Sequence, residues 1–450
     1  MNSVGKYDTA LVLGLGVSGS AAARLLKEEG TAVTAVDSRS DSGTVESSGR
    51  LRSEGIQAFA GCRSLPDGHF DVCVVSPGIP ADSLWVKEAE KRGMETIPEI
   101  ELGLGRCAGE TVAVTGTNGK STLVKLCGET LAAAGKRTAV AGNYGTAVSR
   151  AALENPGLDW LVLEVSSFQL ELVKSFRPRV GVLMNIQADH LDRHGNMAAY
   201  TSIKSRMFSL MTPGDTGIVA EENLEEVQRL SRGANRWASF GLSEGADYRY
   251  VGGKVKIHGI DENSHGREIP FTGTVFDNDV MGRTAAAACA VAEACGEDAR
   301  LAARAAAGYE PLPHRMNCVC VRNGVRYIND SKSTNMASLI AGVDMCGPGI
   351  RLIAGGRLKE RDVEYVGDVL KGRVNKAYLI GECADLLFKA WAKNLECEDC
   401  GTLAKAVCLC ADEAVENETV LFSPGCASFD QYAGFEERGE RFVGEVKNLQ

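Results

Sequence analysis

The sequence has no excess of positive charge. Its 450 residues include 49 Lys and Arg against 59 Asp and Glu, which gives a formal net charge of -10. A protein that binds nucleic acid normally carries a basic stripe or a basic domain, because it must neutralise phosphates. The charge balance therefore argues against a nucleic-acid partner, while it leaves small acidic ligands open.

Long apolar runs are also lacking. No uncharged apolar stretch reaches the roughly 18 residues that a membrane-spanning helix needs. The N-terminal segment MNSVGKYDTALVLGLG has no basic region followed by a long apolar stretch and a small-residue cleavage site, so it does not resemble a signal peptide. We expect a cytoplasmic protein without a membrane partner.

Cysteine spacings typical of disulfides or metal sites are scarce. The fifteen cysteines form an odd number, are scattered along the chain and follow no secretory signal, so we expect reduced thiols. One cluster, Cys397, Cys400, Cys408 and Cys410, could bind zinc. Its second pair is spaced C-x-C, whereas zinc ribbons use two C-x-x-C pairs, and buried thiols are the interpretation that we prefer.

The chain is long enough for several domains. A single hydrophobic core rarely serves 450 residues. Apolar strands alternate with amphipathic helices throughout, which is the pattern of α/β proteins with parallel sheets. The pattern loosens near residues 103–109, and prolines interrupt helix formation at residues 310–313. We predict a Rossmann-like domain over residues 1–107, a central P-loop ATPase-like domain with a parallel sheet over 108–310, and a second Rossmann-like α/β domain over 311–450.

A glycine-rich loop follows the first predicted strand. Gly14, Gly16 and Gly19, spaced G-x-G-x-x-G, lie between an apolar strand and a helix, and Asp37 ends the next strand. In this setting, backbone N–H groups at the helix N-terminus can bind a diphosphate, and a carboxylate can bind ribose hydroxyls. The motif indicates a nucleotide without identifying NAD. Its alternative is a tight turn that only needs glycines.

A second glycine-rich loop carries a more specific signal. Residues 116–122, Gly-Thr-Asn-Gly-Lys-Ser-Thr, lie between a strand and a helix. Glycines let the backbone wrap phosphates, Lys120 can bind the β and γ oxygens of a nucleoside triphosphate, and the Ser121 hydroxyl can ligate magnesium. The usual first glycine of the motif is Val114 here. This departure favours a shorter variant over an ordinary kinase or GTPase loop.

Polar residues follow two later strands. Glu164 ends an apolar strand, where a carboxylate can hold magnesium, although it could equally cap a helix. The segment 185–194 follows another strand and contains two of only six histidines, which favours a functional role. We predict a helix after it, over residues 196–210.

Four segments together resemble the successive ATP-site motifs of the Mur ligases of bacterial cell-wall synthesis. They are residues 116–122, 163–170, 185–194 and 329–335. They occur in the family's order, and the resemblance covers essentially the whole chain. It implies an ATP-dependent ligase that joins a carboxylate to an amine.

The two ends of the chain resemble the D-glutamate-adding members of that family. The matching segments are residues 12–19, 75–80 and 423–439. The resemblance implies addition of D-glutamate to UDP-N-acetylmuramoyl-L-alanine through an acyl phosphate, with release of ADP and phosphate, in peptidoglycan precursor synthesis. The first Rossmann-like domain would then bind the UDP of the substrate. ATP and two Mg²⁺ ions are the implied cofactors, and a monomer is the expected state.

The resemblance also assigns roles to individual residues. Catalytic roles fall on Lys120, Glu164, His190, Lys204 and Lys332. The metal ions would be held by Ser121, Glu164, His190 and Lys204, the last as a carbamylated lysine. ATP would contact Gly116, Thr117, Asn118, Gly119, Lys120, Ser121, Thr122, Asn278, Arg315 and Asp330. The nucleotide-sugar substrate would contact Gly14, Leu15, Gly16, Val17, Ser18, Asp37, Arg39, Ser76, Pro77, Gly78, Asn143 and Ser166. D-Glutamate or the reacting centre would contact Lys332, Thr334, Lys359, Ser428 and Phe435.

Two segments depart from the family pattern, and three other functions stay open. Residues 276–281 keep only Asn278 of the usual adenine-contacting residues, and residues 355–362 replace a more glycine-rich loop around Lys359. Another Mur-type or folylpolyglutamate ligase would use a different amino-acid acceptor. A nucleotide-dependent redox enzyme would explain the first glycine loop but not the second. A P-loop motor or switch would hydrolyse ATP without a carboxylate acceptor.

Overall fold

Three separate β-sheets organise the chain. The computed structural model describes residues 6–259, 266–360 and 362–449. In these ranges, the sheets follow one another along the sequence, with five, nine and six strands. The predicted three-domain α/β architecture is confirmed by these sheets, while the predicted limits of the domains stay a prediction.

The chain divides into two compact units. The first unit comprises residues 1–186 and 198–308 and contains the first two sheets. The second unit comprises residues 187–197 and 309–450 and contains the third sheet. The short segment 187–197 therefore groups with the C-terminal part of the chain, which the sequence did not indicate.

The first sheet is parallel throughout. Its strands are β1 (Thr9–Leu13), β2 (Ala32–Asp37), β3 (Gln57–Ala60), β4 (Val72–Val75) and β5 (Glu95–Pro98), in the order β3-β2-β1-β4-β5. The accompanying helices are α1 (Val17–Glu28), α2 (Ser42–Ser53), α3 (Leu84–Lys91) and α4 (Glu99–Leu104). β1 and β4 are almost fully buried apolar runs, as expected for a parallel sheet covered by helices on both faces.

The second sheet is parallel except at one edge. Its strands are β6 (Glu110–Thr115), β7 (Thr138–Gly142), β8 (Trp160–Glu164), β9 (Val180–Leu183), β10 (Thr216–Ala220), β11 (Arg236–Gly241), β12 (Tyr248–Val251), β13 (Lys254–Ile257) and β14 (Arg267–Pro270). They lie in the order β14-β13-β12-β11-β10-β9-β6-β8-β7. The predicted parallel pairing is confirmed from β7 to β12, whereas β13 and β14 add an antiparallel edge that the sequence analysis did not foresee.

The helices that follow these strands vary widely in length. They are α5 (Lys120–Ala133), α6 (Val148–Glu154), α7 (Ser167–Leu170), α8 (Leu191–His194), α9 (Met197–Ser205), α10 (Leu224–Leu230), α11 (Asp279–Ala294) and α12 (Arg300–Ala307), with 3₁₀ turns at Arg206–Phe208 and Glu221–Asn223. The 16-residue helix α11 is rich in alanine and is buried along most of its length. Within the described ranges, no helix is both long and apolar enough to span a bilayer.

The third sheet is parallel apart from its first strand. Its strands are β15 (Asn317–Arg322), β16 (Val325–Asn329), β17 (Ile350–Gly355), β18 (Val374–Ile380), β19 (Glu396–Gly401) and β20 (Thr419–Phe422), in the order β15-β16-β20-β17-β18-β19. The helices are α13 (Met336–Cys346), α14 (Glu364–Leu370), α15 (Ala384–Trp391), α16 (Leu403–Glu413) and α17 (Phe435–Lys447). After β20, the chain forms a loop and then helix α17.

The helix predicted over residues 196–210 is wrong at its C-terminal end. The helix α9 stops at Ser205 and continues as a 3₁₀ turn. Met207 and Phe208 in this turn are fully buried, and the Phe208 ring lies 5.1 Å from the Trp237 ring. The 3₁₀ turn places both side chains in the core, and such turns are common at the ends of α-helices.

The fifteen cysteines carry free thiols. Of the cluster considered for zinc, Cys400 and Cys410 are buried, Cys397 is half-buried and Cys408 is exposed. The structure gathers no group of three or more His, Cys, Asp or Glu side chains suited to a metal ion within the residues that it describes. The cluster therefore gives no support to the zinc alternative.

The glycine loop after β1 provides a test of the fold. A Cβ on Gly19 would lie 1.9 Å from the Gly14 carbonyl oxygen and 2.8 Å from Ser76 Oγ, whereas a Cβ on Gly16 would meet nothing within 4 Å. We expect Gly19→Ala to destabilise the fold by about 1–3 kcal/mol, because the backbone must move to relieve the overlap. Thermal unfolding followed by circular dichroism measures the effect. Gly16→Ala is the matched control, and equal melting temperatures for the two variants would contradict the steric argument.

Candidate active site

Three neighbouring strands bring the phosphate loop beside two other predicted segments. β6 lies between β8 and β9, and all three strands are parallel. Val114 on β6 pairs with Glu164 on β8, and Thr115 pairs with Leu183 on β9. Because the carboxyl ends of parallel strands meet at one edge of a sheet, the loop after β6, the end of β8 and the residues directly after β9 lie side by side.

Two glycines in left-handed conformations shape the phosphate loop. Gly116 has a φ of 142° and Gly119 a φ of 83°. A Cβ on Gly116 would lie only 2.9 Å from the Met184 Cβ, so no larger residue fits there. At the base of the loop, Thr115 Oγ1 is buried and has no hydrogen-bond partner among the described residues. The loop leads into α5 at Lys120, and a helix N-terminus of this kind binds phosphate through its free N–H groups.

Two lysine side chains reach the same carbonyl group of this loop. Lys120 Nζ donates to the Gly116 oxygen at 2.9 Å and to the Thr117 oxygen at 2.8 Å. Lys204 Nζ also donates to the Gly116 oxygen, at 2.8 Å, and lies 4.6 Å from the centre of the Tyr200 ring. Lys204 is only 2% exposed. Two amines, one of them buried, therefore adjoin the loop, which favours an anionic ligand there.

Hydrogen bonds join Glu164 to two other predicted residues. Ser121 Oγ donates to Glu164 Oε2 at 2.5 Å, and Asn143 Nδ2 donates to Glu164 Oε1 at 2.7 Å. Hydroxyl and carboxylate oxygens are the protein ligands that Mg²⁺ prefers, and this ion commonly takes one or two of them together with substrate phosphates and water. Ser121 and Glu164 thus form a donor pair whose chemistry fits Mg²⁺.

Sequence reasoning missed Asn185 as a site residue, although this side chain holds the phosphate loop. Asn185 Oδ1 accepts hydrogen bonds from the backbone N–H groups of Thr117 at 3.1 Å and Asn118 at 2.8 Å. Asn185 Nδ2 donates to the Asn118 carbonyl at 3.1 Å. The available signal was a polar residue directly after a buried strand, but its use required knowing that β9 is a neighbour of β6.

A second set of predicted residues lines a cavity at the carboxyl ends of β1, β2 and β4. The cavity has a volume of about 620 Å³, within the range of small-molecule sites. Its predicted lining residues are Gly14, Gly16, Val17, Ser18, Asp37, Arg39, Ser76, Pro77 and Gly78. Ile79, Leu84 and Trp85 add apolar walls, while Leu15 lines an adjoining groove. Nine of the predicted nucleotide-sugar residues therefore line one cavity.

The carboxylate of Asp37 is fully occupied by protein donors. Asp37 Oδ2 accepts from the Leu15 N–H at 3.0 Å and from Arg39 Nη2 at 2.8 Å. Asp37 Oδ1 accepts from the Arg39 N–H at 2.9 Å and from Arg39 Nε at 3.1 Å. Burial opposes ionisation, but these donors hold the pKa of Asp37 below its usual range. Since a carboxylate has about four acceptor sites, Asp37 serves to orient Arg39, and the ribose contact expected of a nicotinamide site loses its support.

In the second unit, Asp189 is the centre of a polar cluster. Lys359 Nζ donates to Asp189 Oδ1 at 3.2 Å, and Asn335 Nδ2 donates to Asp189 Oδ2 at 3.2 Å. His190, with a left-handed φ of 54°, follows directly and places its Nε2 3.7 Å from Asp189 Oδ2. Burial raises the pKa of Asp189, yet Lys359, His190 and Asn335 together hold it below its usual range. Asp189 and Asn335 are further residues that the sequence analysis did not assign.

The predicted acceptor-binding residues Lys332 and Phe435 are in contact. Lys332 Nζ lies 3.7 Å from the centre of the Phe435 ring, which is a cation–π arrangement. The His314 ring packs edge-on against the same ring with centroids 6.4 Å apart. Burial lowers the pKa of His314, so this imidazole stays neutral near pH 7. The structure thus brings a cation and an aromatic face together at the start of α17.

Asp330, two residues before Lys332, carries a buried carboxyl group. Ser423 Oγ donates to Asp330 Oδ2 at 2.8 Å, and the Met316 N–H donates to Asp330 Oδ1 at 3.3 Å. Burial raises the pKa of Asp330 to about 7, because these hydrogen bonds only partly replace hydration. Asp330 therefore links the region after the predicted interdomain boundary to the loop that begins at Ser423.

Five other predicted residues occupy separate positions. Asn278 caps α11 by accepting from the Met281 N–H at 3.0 Å. Ser166 and Gln169 form a capping box at α7. The Arg315 N–H donates to Asn317 Oδ1 at 3.0 Å. Thr334 is half-buried before α13, and Ser428 is buried in the loop between β20 and α17. Asn278 and Ser166 thus have structural roles that would suffice to explain them.

The pKa of Asp330 leads to a pH-dependent prediction. Below about pH 4, the Asp330 carboxyl is protonated in both the folded and the unfolded chain. Between about pH 4 and 7, only the unfolded chain loses this proton, so the contribution of Asp330 to the free energy of unfolding falls as the pH rises. Above about pH 7 this contribution is lost. Asp330→Asn removes this dependence. We expect the melting temperature of the variant minus that of the wild type to rise by about 2 °C or more between pH 5 and 8. The exposed Asp412→Asn is the control, and a constant difference would contradict the assignment.

Comparison with known proteins identifies the family of this chain. Residues 114–291 match the Mur ligase middle domain, and residues 8–98 match the Mur ligase MurD-like N-terminal domain. The UDP-N-acetylmuramoylalanine--D-glutamate ligase of Koribacter versatilis is 34% identical over 443 residues, covering 98% of this chain and 97% of the relative. The protein of the same name from Myxococcus xanthus is 35% identical over 449 residues, covering 98% of each chain.

Solved structures share the fold at lower identity. The UDP-N-acetylmuramate-alanine ligase MurC of Thermotoga maritima gives a TM-score of 0.60 at 17% identity, covering 99% of this chain and 100% of that one. The MurF ligase of the same organism, in complex with ADP, gives 0.61 at 17% identity, covering 92% and 95%. With full-length relatives above 30% identity and the MurD-like N-terminal match, the chain belongs to the Mur ligase family of ATP-dependent enzymes that form C–N bonds.

Proposed function

We propose that this chain adds D-glutamate to UDP-N-acetylmuramoyl-L-alanine, forming an amide through an acyl phosphate and releasing ADP and phosphate. The observation that carries the proposal is the phosphate loop, which lies beside the hydrogen-bonded residues Ser121, Glu164 and Asn143 at one sheet edge. Full-length relatives named as D-glutamate ligases support the choice of substrates.

ATP fits the loop on steric and electrostatic grounds. The left-handed Gly116 and Gly119 keep side chains out of the loop, Lys120 adjoins it, and α5 begins there. The buried Thr115 hydroxyl, which has no partner in the described ranges, marks a polar position at the loop base. These features suit the phosphates of a nucleotide, which need N–H donors and positive charge.

Ser121 and Glu164 would hold one Mg²⁺ ion, which when bound would neutralise phosphate charge. We assign a carbamylated Lys204 to a second ion, and the metal role of His190 stays a prediction. A carbamate would turn the buried Lys204 side chain, which is only 2% exposed, into an oxygen ligand. In its unmodified form, Lys204 instead donates to the Gly116 carbonyl.

The chemistry places large demands on charge neutralisation. A carboxylate is a poor electrophile, and phosphorylation supplies the leaving group that a later attack by an amine requires. Bringing the substrate carboxylate to ATP concentrates negative charge, so catalysis should depend mainly on positioning and electrostatic stabilisation. Lys120 in the first unit and Lys332 in the second unit would supply positive charge.

The second unit contains lysine side chains that would suit the acceptor. D-Glutamate carries two carboxylates, and the family resemblance assigns both Lys332 and Lys359 to the acceptor or the reacting centre. Phe435 supports Lys332 through its ring face, and Asp189 supports Lys359 through an ion pair at 3.2 Å. Fixed ammonium groups of this kind recognise carboxylates through charge-assisted hydrogen bonds.

Phosphate release from ATP in the presence of UDP-N-acetylmuramoyl-L-alanine tests the proposed function. D-Glutamate, L-glutamate, L-lysine and meso-diaminopimelate are supplied separately, and the product mass is measured. We expect release only with D-glutamate and a product heavier by one glutamyl residue. Release with another amino acid would reassign the acceptor, and release without any acceptor would contradict the ligase function.

Glu164 provides a test of the metal assignment. We expect Glu164→Gln to raise the Mg²⁺ concentration for half-maximal activity by about tenfold, because an amide is a weaker ligand than a carboxylate. Titration of activity with Mg²⁺ at saturating substrates measures this. Glu154→Gln, at an exposed position paired with Arg150, is the control. An unchanged Mg²⁺ requirement in an active Glu164→Gln enzyme would remove Glu164 from the metal site.

A further inference from the structure

The guanidinium group of Arg438 is buried in the second unit without a carboxylate acceptor. Arg438 lies on α17 and is 1% exposed. Its Nε donates to Ser331 Oγ at 3.1 Å, its Nη2 donates to the Ser331 carbonyl at 2.8 Å, and its Nη1 donates to the Cys426 carbonyl at 3.0 Å. All three acceptors are uncharged, so the group joins polar segments by its hydrogen bonds and forms no ion pair through them.

Each segment that these bonds join contains a residue assigned to the amino-acid acceptor or the reacting centre. Ser331 immediately precedes Lys332, and Ser331 Oγ also donates to the Phe435 carbonyl at 2.8 Å. Cys426 lies in the loop after β20, two residues before Ser428. Arg438 itself lies on α17, the helix that begins with Phe435. One side chain thus connects three backbone segments, each of which carries an acceptor-site residue.

Burial of an arginine at this point has a clear physical cost. A buried charge is unfavourable unless its hydrogen bonds are satisfied, and hydrogen bonds from a charged donor are stronger than neutral ones. The planar fork of arginine can reach acceptors on two segments at once, which a lysine ammonium cannot do with the same geometry. The arrangement is therefore expected where the spacing between segments has to be fixed.

We propose that Arg438 is a positioning residue that sets the geometry of the D-glutamate site by holding the Ser331 turn, the Cys426 loop and the start of α17 together. The inference rests on the proposed function and deepens it. Arg438 touches no substrate in this account, and its effect passes through Lys332, Ser428 and Phe435. Loss of the guanidinium would leave the buried Ser331 and Cys426 carbonyls without donors and let the two loops move apart.

Steady-state kinetics of Arg438→Met and Arg438→Lys test this role. We expect Arg438→Met to raise KM for D-glutamate by about tenfold or more, with KM for ATP and for UDP-N-acetylmuramoyl-L-alanine changed by less than about twofold. Arg438→Lys should restore part of the loss, because it keeps the charge and one hydrogen bond. Arg441→Met is the matched control on the same helix, since Arg441 is 64% exposed and pairs with Glu445, and it should leave all three constants unchanged.

Ser331→Ala keeps the test decisive if Arg438→Met fails to fold, as judged by thermal unfolding. This variant removes only the hydroxyl that joins Arg438 to Phe435, and we expect a selective rise in KM for D-glutamate of about threefold. Unchanged KM for D-glutamate in a folded Arg438→Met enzyme, or in Ser331→Ala, would overturn the proposal. An equal rise for all three substrates would also overturn it, because a general structural defect would then explain the loss.

The wild-type enzyme separates this inference from the proposed function. If the wild type accepts a different amino acid, the proposed acceptor is wrong, and the same kinetic comparison is made with the amino acid that it does use. A selective rise in KM for that acceptor would support the positioning role of Arg438. A rise spread over all substrates would reject it, whatever the acceptor is.

Discussion

The parallel pairing of β6 between β8 and β9 is the constraint on which the first unit's candidate site depends. It places the phosphate loop beside Glu164 on one side and Asn185 on the other. Ser121 can then bond to Glu164, and the Asn185 amide can bind the loop backbone, although 43 and 67 residues separate the partners in sequence. A different strand order would remove both contacts without changing the sequence of any motif.

Buried polar groups hold the loops of both units, and most of their partners are backbone atoms. Lys204 donates to a carbonyl of the phosphate loop, and Arg438 donates to two carbonyls and a hydroxyl. Asp330 accepts from a hydroxyl and a backbone N–H. An unsatisfied polar group in a core is costly, so such contacts allow few alternative loop conformations. This rigidity suits a reaction that requires several charged groups in fixed positions.

How well the role of a residue could be predicted depended on how far apart in the sequence its contacts lie. The phosphate loop could be predicted because its glycines, Lys120 and Ser121 act within seven consecutive residues. The predicted end of α9 was wrong, and the 3₁₀ turn found there packs Phe208 against Trp237, which belongs to a strand distant in sequence. Asn185 and Arg438 lie in the matching segments 185–194 and 423–439, but their roles were missed because their partners lie 67 and 107 residues away. Asp37 was identified, but its role as a support for Arg39 required the hydrogen-bond geometry.

The sequence by itself determined the α/β class, the two glycine loops and the order of the family's motifs, because these depend on periodicity and on residues close together in the chain. Tertiary structure alone decided that segment 187–197 groups with the C-terminal unit, that Glu164 meets Ser121 and Asn143, and that Arg438 joins three acceptor-site segments. Strand order and side-chain burial are properties of the packed chain, since each contact joins groups that no local pattern relates.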